Sequence, residues 1–191
     1  MPDEVYQIKV TLLGTKPPIW RRLLVPAIMT LAQLHDALQI AMGWQDCHLH
    51  EFEIGGQRYG VPDPEMDVFG ERVMNEKKAR LCNVLGTAGA KALYTYDFGD
   101  GWEHSVVVEK AMKSEDGTAY PICTGGKRHC PPEDCGGIYG YYDFLDAIAD
   151  PNHKQHGELL EWIGGRFDPD DFSVEKTNAE LANLQRRFAK A

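Results

Sequence analysis

At 191 residues, 43% of them hydrophobic, the chain can bury a substantial core as one domain or one domain with a helical appendage. Its formal charge of −9, from 29 acidic against 20 basic residues, disfavours broad contact with nucleic acid or anionic membrane, which needs dense Lys/Arg. Five cysteines without an export-like N-terminus, and no apolar run near the ~20 residues that span a bilayer, fit reduced thiols in an acidic cytoplasmic protein.

Residues 5–13 alternate, with Tyr6, Ile8, Val10 and Leu12 on one face, as in a strand buried on one side. Pro17-Pro18 break the run, and residues 19–25 read as a second strand, so an opening hairpin is expected. Arg21-Arg22 in that strand, like Arg186-Arg187 near the C-terminus, read as solvated surface. Thr30 with Gln33 forms a capping box that starts a helix, Leu31, Leu34, Leu38 and Ala41 give its core stripe, and Gly43 caps its end. His35, Asp36 and Gln39 fall on the outer, solvated side of that stripe.

Residues 48–54 alternate as a strand with His48, His50, Phe52 and Ile54 on one face. Gly55-Gly56 turn the chain and residues 57–59 return as a short strand. Residues 61–70 make a long irregular connection, and residues 81–85 a strand end or a single helical turn.

Residues 94–109, YTYDFGDGWEHSVVVE, hold the strongest hairpin signal, because Asp100-Gly101 suit a type I′ turn between alternating runs. With those two in the loop, Asp97 opposes His104 and Tyr96 opposes Ser105. Leu93, Thr95 and Asp97 then share a face with Trp102, His104, Val106 and Val108. Ser105 projects to the other face, so it cannot pair with His104 as nucleophile and base.

Residues 120–137 are rich in Cys, Pro and Gly and read as loop; helical sequence dominates afterwards, over 140–149, 153–163 and a last helix opened by Asp168-Pro169. The last helix carries Val174, Thr177, Leu181, Leu184 and Phe188 as its stripe. The sum is an α+β fold: a mostly antiparallel sheet with one helix across it, compatible with a β-grasp-like core, and a helical C-terminal part. Residues 1–112 form the α+β core and residues 113–191 the Cys/Pro/Gly-rich loop and helical part of the same domain.

Two constellations suit a metal, zinc above all. His48 and His50, two apart on a strand, project together at about 6.5 Å, and with His104 and Asp97 they make a His/carboxylate set. Cys123, Cys130 and Cys135 with His129 have the composition of a small zinc knot, although their spacing misses the usual ligand pairs. The plain alternatives are a half-buried packed His50 beside an exposed His48, and small thiols at tight backbone approaches. The acidic set Glu133, Asp134, Asp97, Asp100 and Glu103 offers candidates for a general acid/base pair, Glu133 and Asp134 first, although Pro-Pro-Glu-Asp reads more simply as a rigid turn whose carboxylates cap amides. The aromatics Tyr94, Tyr96, Phe98, Trp102, Tyr139, Tyr141 and Tyr142 read as core. No nucleophile elbow, phosphate loop, dinucleotide fingerprint or HExxH occurs.

Taken together, PPIWRRLLVP at 17–26, the helix ending in MGW, HLHEF at 48–52, YDFGDGWEH at 96–104, CPPEDCGG at 130–137, GYYDFLDAIADP at 140–151 and FDPDDF at 167–172 resemble the plasmid pRiA4b ORF-3-like family over almost the whole chain. The resemblance implies little about activity. The family takes its name from a plasmid open reading frame, and nothing here supports the recombinase-type labels on some relatives. The leading expectation is a non-catalytic binding or accessory domain for a protein or small-molecule partner, with Asp97, Asp100, Trp102 and His104 on its surface beside the 123–137 loop. The rival is a metal-dependent hydrolase-like enzyme in which His48, His50, His104 and Asp97 hold the ion and Glu133 or Asp134 activates water. A nucleic-acid accessory factor of a mobile element is a weaker third.

Overall fold

The computed structural model describes residues 4–62 and 73–188. Most of the irregular connection expected over residues 61–70 lies outside the described residues. Strands β1 (Glu4–Leu12) and β2 (Ile19–Pro26) form the opening hairpin, and helix α1 (Leu31–Met42) follows. Strands β3 (His50–Ile54), β4 (Gln57–Gly60) and β5 (Met74–Asn75) come next, then one 3-10 turn at Glu76–Lys78 and the short helix α2 (Leu81–Val84). The central hairpin is β6 (Lys91–Tyr96) and β7 (Trp102–Lys113); β8 (Ile122–Lys127) and helices α3 (Gly137–Ala149), α4 (His156–Trp162) and α5 (Val174–Phe188) complete the chain. The eight strands make one sheet in the order β5-β4-β3-β6-β7-β1-β2-β8, antiparallel except for the β4–β5 pair. The fold is α+β. No helix among the described residues is long and apolar enough to cross a membrane.

Local rules account for the first half. Tyr6, Ile8, Val10 and Leu12 are all buried, as the alternation of β1 requires. Thr30 and Gln33 make both bonds of the capping box, and Gly43 ends α1 with φ of 96°, a value that favours glycine. The helix packs on the sheet's core face, and the same core takes Tyr141 and Phe144 of α3 and Leu181 and Leu184 of α5.

Several expectations are corrected. His35 and Gln39 are not solvated but 4% and 3% exposed, because the chain after α1 folds back over that side of the helix. Gln39 donates to the Tyr94 hydroxyl at 2.9 Å and accepts from the Asp46 amide at 2.9 Å. The last helix starts at Val174, not at Pro169: Asp168 instead closes a turn onto the Asp170 amide, and the Ser173 hydroxyl caps the helix at Lys176. Part of the 120–137 stretch is an edge strand, since β8 completes the backbone ladder of β2 despite two glycines.

The central hairpin is displaced by three residues from its expected register. Tyr96 opposes Trp102 and Tyr94 opposes His104, leaving a five-residue loop at 97–101. An odd shift exchanges the faces of β6, so Tyr94 and Tyr96, not Leu93, Thr95 and Asp97, join Trp102 and His104 in the core. Asp97 takes φ of 54°, accepts the Gly99 amide on its side chain at 2.9 Å and the Gly101 amide on its carbonyl at 2.6 Å. Asp100 is thereby released from turn duty, and its carboxylate accepts the Gly136 amide at the start of α3 at 3.1 Å.

Arg21 is also corrected, from solvated surface to 2% exposed. Its guanidinium donates to the carbonyls of Ala41 (2.7 Å), Trp20 (2.9 Å) and Lys127 (3.0 Å) and lies 4.1 Å from the Phe172 ring. It therefore serves the C-terminal carbonyls of α1, where a cation is favoured, and pins the edge strand β8. Arg21→Met is expected to cost about 2 kcal/mol in urea unfolding, from carbonyls left unpaired, and to speed amide exchange in β8. Unchanged exchange there would contradict this role.

Candidate metal centre

His48 stands in the loop between α1 and β3, two residues before the strand begins. Its Nε2 faces carboxylates from two other loops: Asp134 Oδ1 at 3.1 Å, Asp97 Oδ2 at 3.7 Å and Glu133 Oε2 at 3.9 Å. Asp97 follows β6, and Glu133 and Asp134 lie between β8 and α3. Backbone contacts fix the approach. The Asp97 amide donates to the Leu49 carbonyl at 2.9 Å, tying the hairpin loop to the histidine loop. Glu133 Oε1 accepts from the Gln45 amide at 2.7 Å and the Tyr96 hydroxyl at 3.1 Å, and that hydroxyl accepts the Cys47 amide at 3.1 Å.

Two of these carboxylates are thus clamped by one oxygen and free at the other. Asp97 Oδ1 takes the Gly99 amide while Oδ2 faces His48. Glu133 Oε1 takes two donors while Oε2, buried, has no hydrogen-bond partner. His48 Nε2 is likewise buried and unpartnered, since none of the three oxygens stands where its N–H would point. Buried polar atoms left unsatisfied are rare and call for a cause. Two ligand atoms bound about 2.1 Å from one ion at the tetrahedral angle lie about 3.4 Å apart. The distances from Nε2 to the three oxygens bracket that separation. His48, Asp97 and Asp134 each offer one ligand atom, all within 4.8 Å of one another, as do Cys47, His48 and Glu133.

Asp97 and Asp134 both hold positive φ, 54° and 55°, as does Asp46 at 54°. Non-glycine residues in that region are strained, and such strain gathers at functional sites. Phe98, 55% exposed, stands next to Asp97 on the solvent side.

The other expected ligands lie elsewhere. His104 is fully buried, with Nδ1 donating to the Tyr94 carbonyl at 3.3 Å and Nε2 accepting from Trp44 Nε1 at 3.4 Å. Burial holds its imidazole down at a pKa of about 4, hence neutral. Trp102 is also fully buried, so neither it nor His104 offers a binding surface. His50 stacks on His35 with ring centroids 3.4 Å apart and bonds Glu76 at 2.8 Å. His35 in turn bonds Tyr94 and Asp46, each at 2.8 Å. Burial, then the neighbouring His50, lowers the pKa of His35. His35, Asp46 and His50 also lie within ligand range of one another, but both nitrogens of His35 and Nε2 of His50 are already engaged.

Cys123, Cys130, Cys135 and His129 form no ligand group among the described residues. The Cys123 thiol donates to the Gly125 carbonyl, burial raises Cys130 well above the ordinary thiol value, and His129 bonds the Cys130 carbonyl at 2.6 Å. The sequence groups His48 and Asp97 with Glu133 and Asp134 but adds His50 and His104, which lie elsewhere, and it misses Cys47 and Tyr96 as neighbours of the centre.

Comparison with known proteins places the chain in a family. An uncharacterized protein of Sinorhizobium fredii, y4hQ, is 38% identical over all of this chain and 97% of its own length. The crystal structure of a protein of unknown function from Methanosarcina mazei, MM3350, is 39% identical, with a TM-score of 0.82 over 92% of this chain and 97% of that one. The family model described as plasmid pRiA4b ORF-3-like protein matches residues 4–176, and the chain belongs to that family.

Proposed function

We propose that the protein is a divalent-metal-binding domain whose ion sits among His48, Asp97 and Asp134, with Glu133 facing it. One observation carries the reading: two buried atoms, His48 Nε2 and Glu133 Oε2, face each other unpartnered across 3.9 Å. A cation on Nε2 satisfies that atom and a water on the cation satisfies Oε2, whereas an N–H on Nε2 reaches neither Glu133 nor its neighbours. One imidazole with carboxylates suits zinc and related transition ions. Asp134 is 70% exposed at its side chain, so the solvent side of the ion would stay open to water. Glu133 Oε2 would then be placed to accept a proton from that water, the layout of a hydrolytic centre.

The test is zinc and manganese titration of chelator-treated protein by calorimetry, with His48→Ala and Asp97→Asn alongside. One site per chain in the wild type, weakened about a hundredfold or more by His48→Ala, is the expected result. Wild-type protein that takes up neither ion, or a His48→Ala variant that binds as tightly, would sink the reading.

A further inference from the structure

Asp134 belongs to two places at once. Besides facing His48, it helps line an open groove of about 700 Å³ between α3 and α4, within the usual size range of ligand sites. Asp143 and Asp146 of α3 and Glu158 of α4 supply three further carboxylates, and no lysine or arginine lines the groove. None of these three is ion-paired to a Lys or Arg among the described residues. Phe144 and Leu159 form an apolar floor, and Trp162 packs edge-on against Phe144 at 5.7 Å while remaining 48% exposed.

The placement of the acids is costly to the helix that bears them. Asp143 and Asp146 are three apart, so they share a face and repel. Asp146 also lies in the last turn of α3, where the macrodipole disfavours an anion, and that turn holds no basic residue to offset it. A bound cation relieves both penalties. An exposed tryptophan beside carboxylates adds a ring face that attracts ammonium and guanidinium groups.

We infer that the groove binds a basic peptide segment, its Lys or Arg side chains on Asp143, Asp146 and Glu158 and an apolar neighbour on Leu159 and Trp162. Through Asp134 the segment would reach the metal centre, so a basic peptide is the substrate class of that centre. That last step rests on the metal reading; the groove's preference does not.

The experiment measures Trp fluorescence of the full chain, zinc-loaded and at low ionic strength, titrated with acetyl-Lys-Phe-Lys-amide, acetyl-Glu-Phe-Glu-amide and spermidine. The basic peptide is expected to bind best, and at least about tenfold more weakly to a D143N/D146N variant that binds zinc as the wild type does. His48→Ala is expected to lose zinc and keep the peptide. Equal binding of acidic and basic peptides, or undiminished binding by D143N/D146N, overturns the groove assignment. Spermidine binding as tightly as the basic peptide overturns the peptide as occupant. A wild type that prefers the basic peptide but takes up no zinc overturns the substrate role and the metal reading while the groove stands.

Discussion

Gly140→Ala is expected to cost about 3 kcal/mol of stability and to weaken zinc binding at least about tenfold. Gly140 lies in the first turn of α3, and a Cβ there would run into the Cys135 carbonyl oxygen. That obstacle is backbone, not the flexible end of a side chain, so either the helix start or the preceding loop must move. The loop is the one that carries Glu133 and Asp134 to His48. Carboxylate oxygens 3.1 to 3.9 Å from Nε2 leave little slack around an ion, because its bonds tolerate only a few tenths of an ångström. Gly157→Ala in α4 is the control: its Cβ would meet nothing within 4 Å, so the change should be neutral or stabilising by about 0.5 kcal/mol. Urea unfolding and zinc calorimetry on both variants decide it. A Gly140→Ala protein that melts like the wild type would mean that the loop does not pack against α3 as described.

What the sequence made legible follows from how local each rule is. The caps of α1 and the alternation of β1 depend on residues within one or two turns of each other, and both stand in the structure. The central hairpin did not read correctly, because Asp100-Gly101 is one local option and distant partners decide against it. The Asp97 amide bonds Leu49, and the Asp100 carboxylate bonds Gly136, contacts that no turn preference encodes. ICTGGK in β8 reads as loop because it has little strand propensity of its own; its ladder with β2 and the Arg21 bond to Lys127 hold it.

The candidate centre divides in the same way. His48 and His50 would project together only if both lay in the strand, and the strand begins at His50. His48 therefore turns toward the hairpin loop while His50 enters the core beside His35. Asp97, Glu133 and Asp134 could be picked out as residues able to do chemistry. Their convergence depends on the Glu133 loop closing on Gln45, 88 residues away in sequence, and on Tyr96, 37 away, as the Glu133 bonds record.

Unfolding free energy is expected to hold level above about pH 7 and to fall by about 3 kcal/mol as His104 is driven from pH 6.5 to 4. In the folded chain His104 has a pKa of about 4, against an ordinary 6.5, because burial disfavours its charged form. Between those values the unfolded chain binds a proton that the native chain refuses, so stability rises with pH across the window and is lost as pH falls through it. The hydrogen bonds agree in sign. Nε2 accepts from the Trp44 indole N–H, and a proton on Nε2 would set two donors face to face inside the core. His35, also lowered chiefly by burial, acts in the same direction, so the total slope exceeds the share of His104. The share is isolated by His104→Gln, which can still accept from Trp44 but has no imidazole to titrate. Chemical denaturation from pH 7.5 to 4.5 should show the wild type losing stability faster than the variant, so that the gap between them narrows on acidification. Parallel curves would mean that His104 is either charged in the native state or reached by solvent, and the buried neutral imidazole would have to be abandoned.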